Sequence, residues 1–112
     1  MLEVRFRRDS RQRLSSVFAS GHTGFAEHGE DIVCAAASAI LQSAWLGLTD
    51  YAKIAVEADR SEGHLALRWP QAARDDPSLR AIMSSAELAI NHMARQFPEN
   101  LRTVAEIEPE TN

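Results

Sequence analysis

The chain has 112 residues, 45% of them hydrophobic and 25% charged, a size and balance that suit one soluble domain over residues 1–112. A net charge of -4 argues against a general nucleic-acid binder, and a single cysteine excludes an internal disulfide and fits a structural metal site poorly, so no metal or cofactor is expected. No apolar run reads as long enough to span a membrane, and MLEVRFRRDS has no signal core, so the default expectation is a cytoplasmic protein with no membrane partner.

At the N-terminus Leu2, Val4 and Phe6 alternate with Glu3, Arg5 and Arg7, the period of a half-buried strand. Residues 8–12 are polar and make a turn, and 14–19 (LSSVFA) are rich enough in β-formers to return as a second strand. Arg5, Arg7, Arg8, Arg11 and Arg13 crowd this hairpin. A solvated tip is the plainer reading, and contact with RNA or an acidic partner is the sharper one.

Gly21 breaks the strand. Residues 22–30 have neither helical nor strand period, and Gly24 and Gly29 loosen them. Loops of this length in a small domain are often functional. From Asp31 to about Leu48 the pattern is helical, with Asp31 as N-cap because its carboxylate can accept from first-turn amides. Ile32, Ala36, Ala39, Ile40 and Ser43 fall near one face, continued by Leu46 and Gly47.

Alternation resumes at 53–58 as a third strand, followed by a polar turn at 59–63 and a returning strand at 64–69, which Pro70 ends. Asp76-Pro77 is a helix start, an N-cap followed by proline at the first helical position. Leu79, Ile82, Met83, Ala86, Ile90, Met93 and Phe97 then keep helical spacing until Pro98, and Leu101 to Ile107 is a last strand. The order β-β-α-β-β-α-β predicts an α+β fold, with two helices packed on one face of a mixed or antiparallel five-stranded sheet.

The chemistry concentrates in GHTGFAEHGEDIVCAAASAI, residues 21–40. With Asp31 as cap, Cys34 falls in the first helical turn, where unpaired amides and the helix dipole favour a thiolate. His22 lies at a strand end, where an imidazole can take a thiol proton and return it to a leaving amine. Asp31 can orient that imidazole or only cap the helix. Ser38 lies one turn after Cys34 on the same face and either supports the thiol or bonds to the backbone. Amides around Cys34 can serve a developing oxyanion. Spacing alone leaves these open, because a lone cysteine in an alanine-rich helix is usually a small buried hydrophobe.

The residues themselves go further. This stretch resembles the signature of the ribosomal-processing cysteine protease family, Prp, approximately G-H-x-G-x-x-x-x-G-x-D-I-V-C-A-A-x-S-A. Gly21, His22, Gly24, Gly29, Asp31, Ile32, Val33, Cys34, Ala35, Ala36, Ser38 and Ala39 match it, and Thr23 stands where the family usually has alanine. FPENLRTVAEIE is similar to the family's exit from its second helix into its last strand. The resemblance implies a homodimeric cysteine endopeptidase that removes the N-terminal extension of bacterial large-subunit ribosomal protein twenty-seven. It implies a catalytic pair at His22 and Cys34. It also implies a mobile substrate loop over 23–30, including Thr23, Gly24, Phe25 and Gly29. The partner implied is a peptide segment of that ribosomal protein. A non-catalytic ribosome-associated module, or a homodimer with a vestigial site, is the alternative on the same fold.

Overall fold

The alternation at the N-terminus becomes strand β1 (Leu2–Arg8), which returns as β2 (Leu14–Ser20). In the computed structural model, which describes residues 1–21 and 28–109 and only the backbone of 28–31, helix α1 spans His28–Leu46. Strands β3 (Glu57–Ser61) and β4 (His64–Arg68) form a second hairpin, and helix α2 (Pro77–Gln96) leads to β5 (Leu101–Ile107). The five strands make one sheet in the order β3-β4-β2-β1-β5. Every neighbouring pair is antiparallel except β1 and β5, which run parallel. The expected α+β architecture and mixed sheet are therefore what the chain forms.

Register sorts the side chains. Val4 pairs with Ala19, and Phe6 with Val17, which in turn faces Leu67 across the next strand. Residues on one face of a strand recur at period two, so these share a face. They join Val33, Ala37 and Leu41 of α1 and Leu79, Met83 and Ile90 of α2 in one core. Each such side chain, fully buried, stabilises the fold by about 1.5–3 kcal/mol before its ordering entropy is subtracted. Helix α2 begins as its sequence predicts: the Asp76 carboxylate accepts from the amides of Ser78 at 2.8 Å and Leu79 at 3.3 Å.

The other face of the sheet is polar. Glu3 pairs with Arg5 and Arg102, and Glu106 with Arg7, while Phe18 is flanked by the guanidiniums of Arg7 and Arg68 at 5.1 and 5.0 Å. Arg8 reaches the helix side and grips Glu87 of α2 with two hydrogen bonds of 2.8 and 2.7 Å. Arg13 pairs with Asp9 and Asp75. Of the five hairpin arginines, Arg11 alone forms no side-chain ion pair among the described residues. The basic cluster is thus largely paired with carboxylates, two near in sequence (Glu3 and Asp9) and three distant (Asp75, Glu87 and Glu106).

Four expectations need correction. Helix α1 starts at His28, so Gly29 and Asp31 lie inside it, and Asp31 is not its N-cap. A glycine costs a helix only about 1 kcal/mol relative to alanine, which the packing of the turns that follow can offset. The inward face of α1 is Val33, Ala37, Leu41, Ala44 and then Leu48, whereas Ile32 and Leu46 are 69% and 60% exposed. Helix α1 is apolar or small on every side, so periodicity could not tell in from out. Strand β3 lies at Glu57–Ser61, beyond the alternating 53–58, because the segment from Ala52 first bonds back through Ile54 N to Leu48 O at 2.9 Å. Finally, Ile32–Tyr51 is by length and composition a helical stretch able to cross a bilayer. Small residues such as Ser38 and Ser43 disguise it in the sequence. In the fold one side of it belongs to the core.

Candidate functional site

Strand β2 ends at Ser20, and Gly21 follows at φ +99°, where a Cβ would stand 2.2 Å from the Met1 carbonyl oxygen. Only glycine takes this left-handed bend without strain and lets the chain pass so close to the N-terminal backbone. This is the physical reason for a glycine ahead of His22. His22, Thr23, Gly24 and Phe25 of the expected site lie outside the described residues.

Cys34 is half-buried and packs against the core cluster. It is the seventh residue of α1, in the second turn, so the unpaired first-turn amides lie ahead of it. Helix amides at this depth already bond to carbonyls four residues back. The expectation that amides around Cys34 serve an oxyanion is therefore corrected: those donors belong to the helix. Gly29, expected as a loop hinge, is the second helical residue.

Beside Cys34 opens a cleft of about 690 Å³ between α1 and the strands. Its α1 wall is the ladder Cys34, Ser38 and Gln42, spaced four residues apart, so one turn of about 6 Å separates each from the next. Its floor is apolar, formed by Leu2, Ala19, Leu41 and Leu65. Its far rim is the β3–β4 hairpin end, from Arg60 to His64. A cleft with an apolar floor, a few polar wall groups and a thiol is of a size and chemistry to hold a short extended peptide. Among the described residues, no three of His, Cys, Asp and Glu gather as a metal site.

The structure therefore brings Cys34 and Ser38 to one cleft and adds Gln42 and Arg60, which the sequence reading did not assign. Gln42 was detectable as the next rung of the Cys34–Ser38 spacing. Arg60 was not, because its stretch read as a turn rather than a strand.

Residues 1–102 match the family model described as cysteine protease Prp. The chain is 30% identical over 93 residues to the ribosomal processing cysteine protease Prp of Staphylococcus aureus, a match covering 80% of this chain and 85% of that protein. It is similar to the crystal structure of SMU.848 from Streptococcus mutans, with a TM-score of 0.82, 25% identity and 96% of each chain covered. The structure of the Staphylococcus aureus ribosomal processing protease Prp with a substrate peptide aligns with a TM-score of 0.84 over 94% of this chain and 99% of that one. At 21% identity that last likeness is one of fold.

Proposed function

The chain belongs to the Prp family of cysteine proteases, and on that premise we propose that it removes the N-terminal extension of bacterial large-subunit ribosomal protein twenty-seven in the cytoplasm, using Cys34 and His22. The observation that carries the reading is the placement of the chain's single cysteine in the wall of a cleft of about 690 Å³ whose floor is apolar.

The reaction has two halves. The Cys34 thiol gives its proton to the His22 imidazole, and its sulfur attacks the scissile carbonyl carbon. The C–N bond breaks, His22 returns the proton to the leaving amine, and the acyl group stays on sulfur as a thioester. Water, deprotonated by the same imidazole, then releases the acid and regenerates the thiol. In this reading Ser38, which lines the same cleft one turn along α1, donates to the substrate carbonyl or to the sulfur. In this reading the Asp31 carboxylate orients His22. The loop from Thr23 to Phe25 is the segment proposed to cover the peptide.

The test is incubation with a peptide spanning the ribosomal extension, beside Cys34→Ala and His22→Ala. Cleavage by the unaltered protein and loss in both variants is expected. Cleavage that survives Cys34→Ala would sink the reading.

We propose also that the protein is a homodimer. Ile32 and Leu46 of α1, and Tyr51 just after it, are exposed apolar side chains, and a shallow groove lined by Ala39, Ser43, Ala81 and Ala89 runs between the helices.

A further inference from the structure

Resting on the protease reading above, we infer that Gln42 is a positioning residue that holds the main chain of the bound peptide about four residues from the scissile bond. The α1 wall of the cleft carries the argument. Cys34, Ser38 and Gln42 all line it, each four residues after the last. Four residues of helix rise about 6 Å. Two residues of an extended peptide advance about 6.8 Å, and its main-chain groups return to the same side at every second residue. The rungs of the wall and the repeat of a strand therefore nearly match. With its scissile carbonyl at the Cys34 sulfur, a peptide laid along α1 presents main-chain groups to Ser38 two residues on and to Gln42 four residues on. The mismatch reaches only about 1–2 Å at Gln42, a gap that the two methylenes of its side chain can take up.

The side chain suits the role. Gln42 is half-buried, yet its carboxamide forms no hydrogen bond among the described residues. It carries two N–H donors and a carbonyl acceptor, so it can meet a peptide N–H and a peptide C=O together. Leu41 beside it is buried in the core and fixes this turn of α1 against the sheet. Main-chain hydrogen bonds give a bound strand affinity without asking for a particular side chain. Gln42 thus sets a minimum length and an extended, unsubstituted backbone for the peptide, and no residue type at that position. A glutamine on the wet side of a helix needs no ligand at all, and that plainer explanation makes cleavage indifferent to the peptide backbone so far from the cut.

The test is a backbone N-methyl scan of a peptide spanning the ribosomal extension, with the methyl moved one residue at a time away from the cut on each side. At one position about four residues away, the methyl should raise KM about fivefold with kcat unchanged, as expected when one hydrogen bond remote from the reacting carbonyl is lost. Gln42→Ala should raise KM by a similar factor for the unmethylated peptide and erase the methyl's effect. Gln42→Glu keeps the acceptor and should retain it. No methyl effect at that distance, or one unchanged by Gln42→Ala, overturns the inference and leaves the protease reading intact. Binding to the Cys34→Ala protein is read in parallel by fluorescence anisotropy. Binding that shows the same dependence on the methyl and on Gln42, with no cleavage by the unaltered protein, keeps Gln42 as the main-chain contact and removes the protease reading. Failure of every peptide either to bind or to be cut overturns both.

Discussion

Arg74, in the segment between β4 and α2, reaches back to Asp9 in the β1–β2 turn and donates to its carboxylate at 2.9 Å. Asp9 is nearly buried and also accepts from the amides of Arg11 and Arg13 and from the Arg13 guanidinium. Burial by itself would raise its pKa. The Arg13 amide, the Arg74 side chain, the Arg11 amide and the charge of Arg13 together outweigh that and hold it down at about 2. One carboxylate thereby ties the first hairpin to the connection that launches α2.

A carboxyl with a depressed folded-state pKa stabilises above its unfolded value of 3.8, and that contribution is lost as pH falls toward about 2. Stability measured by urea unfolding should therefore decline across this window. Asp9→Asn should cost about 2 kcal/mol at pH 7, since two guanidiniums lose their partner, and should flatten the decline. An unchanged acid profile in Asp9→Asn would show that other carboxylates govern it.

Gly21→Ala should destabilise the fold by about 2 kcal/mol or more, because the bend is left-handed and the added carbon meets backbone rather than a movable side chain. Gly47→Ala is the matched control. There the new carbon meets only the flexible tip of Ile82 at 3.2 Å, so a much smaller change in the urea midpoint is expected.

Cys34→Ala should lower peptidase turnover by on the order of 10⁴-fold or more, as loss of a covalent nucleophile does. Its fold should survive, with a cost of about 1 kcal/mol, because a half-buried sulfur is removed rather than a core side chain. Iodoacetamide at neutral pH should label Cys34 and abolish cleavage in parallel. Retained cleavage after complete labelling would contradict the assignment.

Light scattering should give twice the 12.4 kDa chain mass for the unaltered protein. Leu46→Glu and Tyr51→Glu, both at exposed positions, should shift it toward the single-chain mass without lowering the urea midpoint. A monomeric unaltered protein would remove the dimer proposal. Dimers that persist in both variants would move the interface elsewhere.

Strand and helix identities were legible wherever one face of an element is polar. β1 and α2 carry clear period-two or helical alternation, β2 reads from its β-formers, and Asp76-Pro77 and Pro98 mark the ends of α2. Helix α1 was legible as a helix but not as a face, since alanines surround it. The first-turn position of Cys34 failed with the cap. Gly29 read as loop, yet the packing of Val33, Ala37 and Leu41 carries the helix back to His28.

By itself the sequence determined the α+β order, the lone thiol, and the motif from Gly21 to Ala39 that joins the chain to its family. Local propensity, periodicity and residue identity are properties of neighbours along the chain, so they survive without a fold. The tertiary structure decided which side of α1 faces the sheet, which carboxylates neutralise the hairpin arginines, and that Arg60 borders the same cleft as Cys34. Each of these depends on groups brought together across the sheet by register and packing.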